Sequence, residues 1–83
     1  MTSRTFPAMT EEEKEIRDAV ATFARRMVLK MLSKIDEGKR GWNDPAYEHY
    51  VKSELLDHFE QDDWLDVANF AMILDYMCQK KGE

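Results

Sequence analysis

The sequence predicts an all-α fold, a three-helix chain with a tight antiparallel helical hairpin that completes a helical bundle by oligomerisation. Three observations lead there. Apolar residues recur at helical spacing in three segments, turn chemistry is confined to two places, and neither period-two alternation nor a hairpin-turn dipeptide occurs, so β-structure has no candidate segment. The 83 residues carry no linker-like, repeated or low-complexity stretch, which predicts a single domain over 1–83, with residues 1–9 expected to be flexible.

The first helix is expected to begin at Thr10, where "TEEE" spells a capping box and the acids suit the positive end of the helix dipole. Ile16, Val20, Phe23, Met27 and Met31 then mark one helical face, widened by Ala24, Val28, Leu32 and Ile35, and Gly38 supplies a stop. In "NDPAY", Asp44 is the expected cap of the second helix and Pro45 its first residue, where a missing N–H costs nothing. That helix continues through Tyr47, Val51, Leu55 and Phe59. Only "EQDD" separates it from the third, so the two must fold back on each other, with Asp62 or Asp63 as the third helix's cap. From Trp64 to Met77 apolar residues lie on nearly every side, the pattern of a helix buried all round at the centre of a bundle.

Size and composition favour subunit contacts. Eighty-three residues with a 43% hydrophobic fraction are close to the lower limit for a self-sufficient core, and a dimer or tetramer is expected. The single Cys78 excludes an intrachain disulfide and suits a reducing compartment. "MTSRTFPAM" lacks the apolar run of a signal peptide and no segment approaches the length of a membrane span, so a cytoplasmic protein is expected. The net charge of −5 argues against nucleic-acid binding through phosphate contacts alone. That charge is unevenly placed: Arg25 to Arg40 holds six basic and two acidic residues, whereas Asn43 to Asp66 holds eight acids and one Lys.

Chemistry is expected at the hairpin. Counting outward from Gln61 and Asp62 sets Asp57 and His58 opposite Asp66 and Leu65, and Glu54 opposite Asn69. Glu54, Asp57 and His58 share one face by their i, i+3, i+4 spacing, and Asp66 and Asn69 share another. Carboxylates crowded in this way repel unless a cation offsets them, and oxygen ligands of this kind suit magnesium, whereas one His and no nearby Cys make a poor zinc set. A solvated acidic face is the plain alternative. In "KIDEGKRGWND", Lys34, Lys39 and Arg40 lie beside two glycines whose backbone N–H groups can approach a phosphate, and Trp42 can stack on a base. The same residues also fit a helix C-terminus with its favoured cations and a Trp that anchors a loop.

The stretch Asp66-Val67-Ala68-Asn69-Phe70 within "DVANFAMIL", together with the upstream "GKRGW", resembles the short phage-encoded members of the MazG-like group, all-α nucleoside triphosphate pyrophosphohydrolases. The resemblance covers Lys34 to Met77. It implies paired E-x-x-E and E-x-x-D motifs on successive helices that bind magnesium, here Glu54-x-x-Asp57 and Asp63-x-x-Asp66, and cleavage between the α and β phosphates by a dimer or tetramer. Each motif here has Asp where the family has Glu, and only five residues lie between Asp57 and Asp63, where the family has a longer connection.

The expected function is therefore magnesium-dependent nucleotide binding, with hydrolysis to the monophosphate and pyrophosphate. Glu54, Asp57 and Asp66 are the expected metal ligands, His58 and Asp63 the catalytic groups that position water, and Asn69, Lys34, Lys39, Arg40 and Trp42 the substrate contacts. The alternative is a non-catalytic phage helical protein that binds a host protein or sequesters a nucleotide signal.

Overall fold

A computed structural model describes residues 9–82. The expected flexibility of residues 1–9 concerns a segment that, apart from Met9, lies outside them. Three α-helices make up the fold: α1 (Glu11–Asp36), α2 (Glu48–Glu60) and α3 (Trp64–Lys81), and there is no strand among the described residues. Helices α2 and α3 form the hairpin, and the second half of α1 packs on α3.

The helix boundaries follow from their end residues. The Thr10 hydroxyl accepts from the Glu13 N–H at 3.1 Å while the Thr10 N–H donates to Glu13 Oε1 at 2.9 Å, the reciprocal capping box. At the far end Gly38, at φ 87°, lets its own N–H reach Ile35 O at 2.9 Å and the Lys39 N–H reach Lys34 O at 3.0 Å, a Schellman stop. The second helix differs from expectation in its first turn: Pro45–Tyr47 is a 3-10 turn, and regular α-helix begins at Glu48. Asp44 caps as expected, accepting from the Ala46 N–H at 3.0 Å, which draws that first turn tight.

The hairpin turn repeats the Schellman geometry without a glycine. The Asp62 N–H donates to Phe59 O at 3.2 Å and the Asp63 N–H to His58 O at 3.0 Å, with Asp62 in the left-handed region at φ 58°. That conformation disfavours a Cβ, so Asp62→Gly is expected to stabilise the protein by about 0.5 kcal/mol, the relief being partly offset by a more flexible unfolded chain. Paired urea melts of the two proteins check this, and a destabilised variant would mean that the Asp62 side chain contributes more than its backbone strain.

The core is small: Val51 of α2 with Ile73 and Met77 of α3, packed against by Met31, Trp42, Phe70, Met72 and Leu74. Here the expectation of a third helix buried all round needs correction. Within one chain α3 buries a single stripe, Asp66, Asn69, Ile73 and Met77, because α1 and α2 cover only that side, while Ala71 and Asp75 are exposed. No described helix is long and apolar enough to cross a membrane.

Candidate functional site

The stripe that α3 buries opens with two polar residues, and each is the centre of a distinct arrangement. Asp66 anchors the first. Asp63 caps α3 by accepting the Asp66 N–H on Oδ1 at 3.3 Å, which leaves its Oδ2 free to meet His58 Nδ1 at 3.0 Å across the turn. The same Nδ1 lies 3.4 Å from Asp66 Oδ2, so both carboxylates border one ring nitrogen. His58 Nε2 lies 3.5 Å from Glu54 Oε2, one turn back on α2, and the ring packs on Phe70 at 5.3 Å. From α1, Lys30 Nζ approaches Asp66 Oδ1 at 3.5 Å. Three helices thus converge on one buried carboxylate.

His58, Asp63 and Asp66 bring one ligand atom each within 4.8 Å of one another, a spacing that can hold a metal ion. Of the expected ligand set, Asp66 belongs to this group, Glu54 borders it through His58, and Asp57 lies outside it, exposed. The helical register explains Asp57: it is about 100° around α2 from His58, which is the residue that meets Asp66. Two residues expected to position water, His58 and Asp63, stand instead among the possible ligands. Two carboxylates and an imidazole accept a divalent ion of borderline softness as readily as magnesium, which prefers oxygen throughout.

The hydrogen bond from His58, followed by smaller contributions from the Asp66 backbone and the His58 charge, holds the Asp63 carboxyl below the usual range against the opposing effect of partial burial. A carboxyl lowered on folding contributes stability above its unfolded value, near 3.9, and loses it as pH falls through the folded value. The hairpin is therefore expected to weaken as pH drops below about 4, and Asp63→Asn to flatten that part of the curve. Circular dichroism melts from pH 6 to pH 2.5 check this, with an unchanged acid slope in the variant as the contrary result.

Asn69 anchors the second arrangement. It is 3% exposed, and neither its amide nitrogen nor its amide oxygen has a hydrogen-bond partner. It lines a cavity of about 300 Å³ whose walls include Trp42, Tyr47, Tyr50 and Phe70, with Asp66 also on its surface. Lys34 from the end of α1 and Lys39 and Arg40 from the loop also line it, so every expected substrate contact borders this one space. Gly41, at φ 79°, turns the loop so that Trp42 comes back onto the bundle, its ring 5.0 Å from that of Tyr76. Trp42 is thereby both loop anchor and cavity wall.

Tyr50 ties the two arrangements together. The Glu54 charge, and then a hydrogen bond that its carboxylate accepts from the Tyr50 hydroxyl, pushes the Tyr50 phenol up, so Glu54 engages a cavity-lining residue as well as His58. Sequence reasoning missed Lys30, Tyr47, Tyr50 and Phe70. The available signal for Lys30 was its position next to Met31 at the edge of the apolar face. No family model matches the chain, nor does any curated protein or solved structure.

Proposed function

We propose that this chain binds a nucleoside triphosphate in the cavity beside Asn69 and, with a divalent cation at His58, Asp63 and Asp66, hydrolyses it to the monophosphate and pyrophosphate. The observation that carries the reading is the unpartnered amide of Asn69. A buried amide with neither group bonded costs about 1–3 kcal/mol, and a ligand edge presenting a donor beside an acceptor, as a nucleobase does, satisfies both at once. The aromatic walls supply stacking surface, and Lys34, Lys39 and Arg40 supply charge for phosphates.

The donor set fits the cation: two carboxylates provide charge and oxygen, and His58 a third ligand or an outer hydrogen bond. When bound, magnesium neutralises phosphate charge and polarises the phosphorus under attack. Glu54, engaged with His58, is placed to hold a water or take its proton, and the three cations keep the triphosphate from retreating. The non-catalytic reading has support of its own, because Lys30 already approaches Asp66 at 3.5 Å with His58 beside the same carboxylate. In that reading the three groups pin the helices together and the cavity binds without turnover.

Incubation with each canonical nucleotide and magnesium or manganese, followed by pyrophosphate release, separates the two. Metal-dependent release, lost in Asp66→Asn, supports the enzyme. Calorimetric binding with no release supports the non-catalytic binder, and neither binding nor release removes the nucleotide reading altogether.

A further inference from the structure

Helix α1 has no buried residue along its 26 positions. Where it crosses the hairpin lies a second cavity, about 450 Å³ and almost wholly apolar, lined by Ala24, Met27, Val28 and Leu32 of α1 and Met72 of α3. Apolar packing therefore seats this helix loosely, and Val28 and Leu32 stay more than half exposed beside the gap. Charge supplies part of the seat. Lys30 Nζ approaches Asp66 Oδ1 at 3.5 Å and so joins α1 to the first turn of α3. Lys34, one turn later on α1, lines the Asn69 cavity with Lys39 and Arg40, whereas Lys30 is engaged by the carboxylate of the candidate cation site.

That carboxylate has two sides. Its Oδ1 meets Lys30, and its Oδ2 lies 3.4 Å from His58 Nδ1, within the group of His58, Asp63 and Asp66 that can hold a metal ion. A divalent ion held there and the Lys30 ammonium would share one anion whose side chain is 10% exposed, where like charges repel far more than in water. The ammonium is the one that yields. Its side chain is 40% exposed, a hydrated point charge on a flexible stem that can swing into solvent, whereas the hairpin turn fixes His58 and Asp63. A separate observation points to a ligand beside the same carboxylate. Asn69, one turn further along α3 and 3% exposed, has neither amide atom bonded and lines one cavity with Asp66.

We propose that Lys30 is a built-in counter-ion of the cation site, displaced when a divalent ion binds His58, Asp63 and Asp66, so that filling the site loosens α1 from the hairpin. The coupling is reciprocal: whatever factor Lys30 takes from the affinity of the ion, the ion takes from the hold of Lys30 on Asp66. Met31, Lys34 and Ile35 follow Lys30 on α1 and wall the Asn69 cavity, so that wall loosens with the helix. The inference rests on the cation proposed above and not on the nucleotide.

Manganese binding to the full chain, read from the electron paramagnetic resonance of the free ion, tests this in the parent and in Lys30→Met, which keeps the stem and drops the charge. The variant is expected to bind manganese about fivefold more tightly, the worth of an ion pair with one partner well exposed, and Lys30→Arg to bind no more tightly than the parent. A Met variant no tighter than the parent, or an Arg variant as tight as the Met one, overturns the role of Lys30 and leaves the cation site standing. A parent that binds no manganese at millimolar supply removes both.

A measurement on the parent alone guards against a variant that fails to fold. On adding manganese, hydrogen exchange read by mass spectrometry is expected to quicken about fivefold between Ala24 and Leu32 of α1 while the hairpin slows. In Lys30→Met the α1 exchange is expected not to respond. Exchange in the parent's α1 that stays the same or slows would overturn the inference.

Discussion

Replacing Asn69 by leucine is expected to make the protein more stable and to weaken the nucleotide binding proposed above. The residue is 3% exposed and its amide has no partner, so the folded state carries the desolvation cost without the compensating bond. Leucine has nearly the same shape and carries no polar group. The gain is expected to be about 1–2 kcal/mol, which in a domain of this size moves Tm by roughly 4–8 °C per kcal/mol. On the proposed nucleotide reading, binding followed by calorimetry is expected to fall at least tenfold, because the amide that would read the ligand edge is gone. Opposed changes of this kind are the signature of a residue kept for function at the expense of stability. A leucine variant less stable than its parent would show that the amide is satisfied in solution, and the binding argument would lose its main support.

Removing the Asp66 carboxylate acts in the other direction. Asp66→Ala removes the carboxylate that Lys30 approaches at 3.5 Å, in a place where the aspartate itself is only 7% exposed, while His58 keeps Asp63 and Glu54 as neighbours. Breaking a buried ion pair from one side costs about 3–5 kcal/mol, and the partial exposure of Lys30 lowers the expected loss to about 2–3 kcal/mol. Because three helices meet at this carboxylate, the urea transition should also broaden as α1 loosens from the hairpin. Manganese binding, measured by the paramagnetic broadening of the His58 ring signals, should weaken more than tenfold. A variant that melts like the parent would place Lys30 and His58 in solvent contact strong enough to replace the carboxylate.

The fold was legible because its determinants are local. The "TEEE" box, Asp44 before Pro45, and the four residues "EQDD" each act within one turn of chain, and they set three helices and the hairpin close to their observed limits. The candidate site was legible only in part. Glu54, His58 and Asp66 come from two helices joined by a tight turn, so counting outward from the bend brings them together. The same count placed Asp57 inward, because it fixes height along the helices but not which flank of each faces the other. Lys30 depends on how α1 crosses α3, thirty-six positions from Asp66 in sequence, and no local pattern encodes that crossing. The unbonded state of Asn69 is likewise a property of packing.

Met31, Ile35, Trp42 and Asn69 each border both cavities, so the partition between the polar chamber and the greasy one is a single layer of side chains. Trimming either aliphatic member to alanine would open a window between them, whereas Met31→Leu would leave the septum closed. An engineer who wishes to widen one chamber must therefore carve from its outer rim, since every atom taken from the dividing wall is taken from both rooms.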